Sequence, residues 1–172
     1  MKTIQWQFVA EPWYRDPGSA AIRWFSAGPA SHVDSITPTG LNWALPGMLY
    51  GARADRVGGQ PPGVWVRPPG YTRLSWRCVA TIPVTDDQWF EFWSAERAKF
   101  GLPYDKTAIW GFAAGRNWRE TNSWFCSEKQ IDSAEKAKIV QPLPGLVSKV
   151  TPAGAINIVS QVEGTTFEVF AQ

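Results

Sequence analysis

Short apolar and β-branched runs, broken by Gly- and Pro-rich turns, fill the first half of the chain, and a period-two alternation marks several of them as strands. Ala21–Ala27 reads as a strand led in by the turn signal Asp16-Pro17-Gly18-Ser19. Ser31–Thr37 alternates cleanly, which places His32 and Asp34 on one face, and Pro38-Thr39-Gly40 ends it in a turn. Met48–Ala52 and Gly63–Arg67 form two more strands around a Gly/Pro/Arg loop, and Leu74–Val84 a long one rich in β-branched and aromatic residues. Thr85-Asp86-Asp87 then caps a helix carrying Trp89, Phe90, Phe92, Trp93, Ala95 and Phe100, with Lys99 near its end and Gly101 as its stop. A short helical turn is expected within Trp110–Trp118. A second helix runs from about Ser123 through Ser127, Glu128, Ile131, Ala134 and Ala137, closed by Pro142 and Gly145. Ile156–Val162 and Thr165–Phe170 flank Glu163-Gly164 as a C-terminal β-hairpin, at about 155–172. This order predicts an α+β fold, a mainly antiparallel sheet packed against helices.

Composition narrows the function classes. A chain of 172 residues, 44% of them hydrophobic, is expected to form one domain with a core of its own. Seventeen Lys and Arg against fifteen Asp and Glu leave +2, too balanced for a typical nucleic-acid footprint. No run of eighteen apolar residues is present, so no transmembrane segment is expected. The first ten residues carry one Lys and no long apolar stretch, so no secretory signal is expected and the chain reads as cytoplasmic when synthesised. Two Cys cannot build a disulfide framework, and with one His they cannot complete a zinc site without carboxylates. Eleven Trp, nine Phe and four Tyr are a heavy aromatic load, read chiefly as core and half-buried sheet surface.

The chemistry-bearing candidates are Cys126 and His32. A cysteine nucleophile acts as its thiolate, which a helix N-terminus and a neighbouring imidazole both favour. Cys126 lies in Trp124-Phe125-Cys126-Ser127-Glu128, where an apolar approach gives way to a polar helix start. Backbone N–H groups there would also hold an oxyanion. His32, far off in sequence, suits a base delivered by the fold, whereas Cys78 in mid-strand reads as packing. Arg53, Arg56 and Arg67 near turns read as a solvated rim, and Glu128 as a stabiliser of the helix start or a substrate contact.

Five segments in order carry a family resemblance: Ser31-His32-Val33-Asp34, Leu49-Tyr50-Gly51-Ala52-Arg53, Gly63-Val64-Trp65-Val66-Arg67-Pro68, Pro103-Tyr104-Asp105 and Trp124-Phe125-Cys126-Ser127-Glu128. Together they resemble the permuted papain-like amidases, the YaeF/YiiX-like branch of the NlpC-type cysteine peptidases, in which the His strand precedes the Cys helix. The resemblance extends from about Ile22 to Pro152, with Val150-Thr151-Pro152 similar to the family's closing segment, and it is nearest to phage and prophage members.

The resemblance implies a permuted papain-like fold, Cys126 as nucleophile, His32 as general base, and no cofactor or metal. It suggests Tyr104 and Asp105 as substrate-lining residues, the alternative being that they cap the segment after Pro103. It also implies amide hydrolysis through a thioester, with peptidoglycan stem peptides as the substrate class, and it admits a virion-associated protein with other phage proteins as partners. One departure stands out. The family offers a carboxylate on the strand after the His to orient the imidazole, and Gly51 stands there in this chain. Asp34, two residues from His32 on its own strand, and Asn42 are the alternatives, although a same-strand neighbour has no assured line to the ring nitrogen. The rival expectation is a phage structural or interaction protein that keeps the fold without activity, and the missing carboxylate favours it.

Overall fold

The computed structural model describes residues 1–12, 17–105, 123–142 and 150–170. The short turn expected within Trp110–Trp118 lies outside them. Among the described residues six strands form one antiparallel sheet: β1 (Lys2–Ala10), β2 (His32–Ile36), β3 (Leu49–Arg53), β4 (Gly63–Arg67), β5 (Trp76–Val84) and β6 (Thr166–Phe170), in the spatial order β4-β3-β2-β1-β5-β6. Four helices among the described residues accompany it: α1 (Pro17–Ser26), α2 (Asp86–Arg97), α3 (Cys126–Lys136) and α4 (Pro152–Val159). The α+β class and the antiparallel sheet therefore stand.

The centre of the sheet is β1, paired along nine residues with β5 and along five with β2. Ile4, Trp6 and Phe8 are buried on one of its faces, and Trp6 meets Phe92 of α2 with ring centroids 6.2 Å apart. Thr85 caps α2 as its sequence predicts. Its Oγ1 accepts from the Gln88 amide at 3.2 Å, and Gln88 Oε1 accepts from the Thr85 amide at 3.0 Å. Lys99, just past the end of α2, is buried and bonded to Asp132 and Ser133 of α3.

Two sequence-based elements are corrected. Ala21–Ala27 is not a strand but largely the body of α1, which starts on Pro17. Proline, lacking its N–H, fits the first helical position as well as it fits a turn, so the same signal served both. Trp24 and Phe25 are exposed on that helix. At the C-terminus there is no hairpin: Ile156–Val159 ends α4, whose N-cap Thr151 accepts the Gly154 amide at 3.0 Å with Pro152 at the first position. The turn at Gly164, with φ +78°, joins this helix to β6, and β6 pairs with β5 instead of with its own chain neighbour. Pro152, Ala155 and Val159, three and four residues apart, are buried along one side of α4.

Candidate active site

Cys126 is the first residue of α3. The chain reaches it through Trp124, which pairs in parallel with Tyr104: the Trp124 amide donates to Pro103 O at 3.0 Å, and the Asp105 amide to Trp124 O at 3.2 Å. Phe125, fully buried beside the Tyr104 ring, anchors the step into the helix. Glu128 Oε2 accepts from the Phe125 amide at 3.3 Å, so this carboxylate serves the helix start. Ser127 Oγ donates to Val150 O at 2.5 Å and ties the same turn to the segment leading into α4.

His32 opens β2, and the fold brings its ring near enough to Cys126 for the sulfur to favour the protonated imidazole. Behind the ring, Nε2 bonds Asp34 Oδ1 at 2.8 Å. With Nε2 committed there, Nδ1 is the nitrogen available to sulfur. The His32 pKa is set by opposed effects. Burial disfavours the cation, but Asp34 and Cys126 together outweigh it and raise the value from 6.5 to about 9. The Asp34 carboxyl, also buried, is held below its ordinary value: burial pushes it up, and His32 with Tyr71 more than reverses this.

The same-strand geometry that leaves Asp34 without an assured line to His32 in the sequence is resolved by Gly51. Continuing the antiparallel register of Ser35 with Tyr50 sets Asp34 opposite Gly51. A Cβ at Gly51 would lie 1.7 Å from Asp34 Oδ1, so the carboxylate occupies the space that a side chain on β3 would fill. A carboxylate is thus present behind the imidazole, supplied by β2 over a glycine of β3. Asn42, the other alternative, is elsewhere: its Oδ1 accepts from Arg97 at 3.1 Å.

Tyr71, in the loop before β5, is a site residue that sequence reasoning missed. Its hydroxyl donates to Asp34 Oδ2 at 2.8 Å and stands 3.2 Å from His32 Nε2. The guanidiniums of Arg53 and Arg67 stand 5.6 and 5.9 Å from the centroid of its ring. Neither arginine forms a solvated rim. Arg53 pairs with Glu11 at 2.6 Å and with both oxygens of Asp55, while Arg67 is fully buried among backbone carbonyls, including those of Val57, Gly51 and Pro61. No motif marks a lone tyrosine in a Pro/Gly loop, so the sequence carried little sign of it. Tyr71→Phe keeps the ring near the arginines and removes only the donor on Asp34. On the amidase reading proposed below, turnover is expected to fall about tenfold, the worth of one hydrogen bond to a charged group, with KM unchanged. A rise in KM at constant kcat would make Tyr71 a binding group instead.

A cleft of about 380 Å³ opens beside His32, lined also by Glu11, Ser19, Ser31, Arg53, Asp55 and Tyr104. Tyr104 thus borders the cleft, whereas Asp105 is fully buried at the entry to α3. Cys126 is 1% exposed and lies beneath the surface, not at the mouth of the cleft. Cys78 is buried in β5 opposite Phe8, and burial alone pushes its thiol up. Among the described residues no group of three His, Cys, Asp or Glu is arranged to hold a metal ion, and no helix is long and apolar enough to cross a membrane. No protein-family model matches the chain, and a comparison with curated proteins gave no match.

Proposed function

We propose that the chain is a cysteine amidase or peptidase of permuted papain-like type, acting through a thioester on peptide amides, with peptidoglycan stem peptides as the substrate class. The observation that carries the reading is the line Cys126–His32–Asp34, with the thiol on the first turn of a helix and the carboxylate behind the ring. In this reading the Cys126 thiolate attacks the amide carbon while His32 holds the thiol proton. The Cys126 and Ser127 amides, which have no acceptor within the helix, face the developing oxyanion. His32 then protonates the leaving amine, and the thioester forms as the C–N bond breaks. Water attacks the thioester, His32 takes its proton, and the acid product leaves with the thiolate restored. The Asp34 bond to Nε2 fixes ring orientation through both steps. Tyr104 at the cleft would touch substrate; a virion location and phage protein partners follow from the family resemblance alone.

A second reading is a structural or interaction protein that retains the site without turnover. The burial of Cys126 favours it, since a nucleophile must meet its substrate. The experiment is hydrolysis of a stem peptide by wild type and by Cys126→Ala. Release of product by wild type alone is expected. Equal background signals from both proteins across several amide and ester substrates would leave the structural reading.

A further inference from the structure

Behind the site lies a buried polar cluster that the proposed chemistry does not use. Glu96 of α2 and Lys129 of α3 form an ion pair with both side chains fully shielded from solvent. Glu96 Oε1 accepts from Ser133 Oγ of α3 at 2.5 Å, and its Oε2 from Ser35 Oγ of β2 at 3.4 Å. Ser35 Oγ also lies 2.8 Å from Gln130 Oε1 of α3. The Lys129 ammonium stands 4.3 Å from the centroid of the Tyr50 ring, and the Tyr50 hydroxyl donates to Glu96 O at 2.7 Å. A second buried ammonium, Lys99, bonds Asp132 at 2.7 Å and Ser133 at 2.5 Å, so two cations face two carboxylates.

A buried pair of this kind is poor evidence for stability, because apolar residues of similar volume commonly serve as well or better. Its placement is informative. The pair joins α2 to α3, and Ser35 ties β2 to it; of these elements α3 carries Cys126 and β2 carries His32. Ser35 follows Asp34 directly in the chain, and Lys129 follows Cys126 by three residues, one helical turn along the same side of α3. We propose that Glu96 and Lys129 are positioning residues for the Cys126–His32 site: they lock α3 to β2 and set a fixed ammonium one turn beyond the thiol. The charges acting on Lys129 are Glu96 from α2, Asp34 from β2 and Cys126 from its own helix, and Lys99 and Lys129 repel each other. Its ammonium therefore favours a negative sulfur, while Glu96 holds it in place. The inference rests on the reading of Cys126 as a thiolate nucleophile.

The test uses the ultraviolet absorbance of the thiolate, which needs no reagent to reach a buried sulfur, taken as the difference between each protein and its Cys126→Ala counterpart. Single variants leave an unpaired buried charge and risk unfolding, so the double variant Glu96→Gln/Lys129→Met is the main one. Gln retains an acceptor for Ser133 and Ser35. At about pH 6, where an ordinary thiol is protonated, wild type is expected to show the thiolate signal. The double variant is expected to lose about fivefold or more of it while melting within a few degrees of wild type. Wild-type signal retained undiminished in the folded double variant would overturn the role given to the pair and leave the enzyme reading intact. Loss of folding in the double variant would overturn it too, by making the pair a structural necessity. No thiolate signal in wild type would overturn the nucleophile reading and this inference with it.

Discussion

Gly51→Ala is expected to lower turnover by about a hundredfold or more while the sheet stays folded. The glycine is required by space, not by backbone conformation, since Gly51 is not among the positive-φ glycines. The new Cβ would fall 1.7 Å from Asp34 Oδ1 and 2.9 Å from Cγ, well inside any contact that atoms tolerate. What must yield is the end of the Asp34 side chain, because β3 is pinned on both sides by β2 and β4. Displacing the carboxylate strips His32 Nε2 of its 2.8 Å partner and takes the Tyr71 hydroxyl bond with it. The imidazole then loses the group that fixes its orientation and supports its charge. Turnover on a stem peptide, together with the His32 titration followed by NMR, reads both effects. An alanine variant with full turnover and an unchanged titration would show that Asp34 does not orient the ring.

This dependence explains how far the sequence could be read. Period-two alternation in Ser31–Thr37 placed His32 and Asp34 on one face, and the observed β2 keeps them there. Whether a carboxylate two residues away can reach a ring nitrogen depends on the empty volume opposite, a property of the paired strand that β2 alone does not encode. Gly51 read in isolation looked like a missing residue; read against the Asp34 register it is the vacancy that admits one. In β1 the strand pattern is plain in the sequence, with Ile4, Trp6 and Phe8 alternating with Gln5 and Gln7. Ala21–Ala27 and Ile156–Val162 are the opposite case. Each is a short apolar run in which period two and period 3.6 both find matches, and Pro17 and Pro152 open helices as readily as turns. Tyr71 was illegible because its role comes from a loop folding back over two distant strands.

Asp34→Asn carries the second large effect, because it removes the charge and keeps the shape. An amide in place of the carboxylate cannot stabilise an imidazolium, and it can hold the ring in the wrong tautomer. Turnover is expected to fall by about 10²- to 10⁴-fold, as for a lost orienting carboxylate elsewhere. Stability should change its pH dependence as well. In wild type the folded His32 pKa, about 9, lies above the ordinary 6.5, so folding takes up a proton between these values. The resulting stabilisation is full below about pH 6.5 and is lost as pH rises through about 9; a rise from 6.5 to about 9 is worth about 3 kcal/mol at most. Asp34, whose folded pKa is depressed, gives the mirror case: its contribution is present above its ordinary value of 3.8 and is lost as pH falls through the lowered one. Both limbs describe one ion pair, and their energies do not add. In the asparagine variant burial is opposed by Cys126 without Asp34, so the fall in stability between about pH 6.5 and 9 should flatten or reverse, and the acid limb from this site should vanish. Urea unfolding of both proteins at about pH 6, 7.5 and 9 measures the difference. Parallel stability curves for wild type and Asp34→Asn would mean that the pair is not charged in the folded protein, and the base would then have to be sought elsewhere than in an Asp34-supported His32.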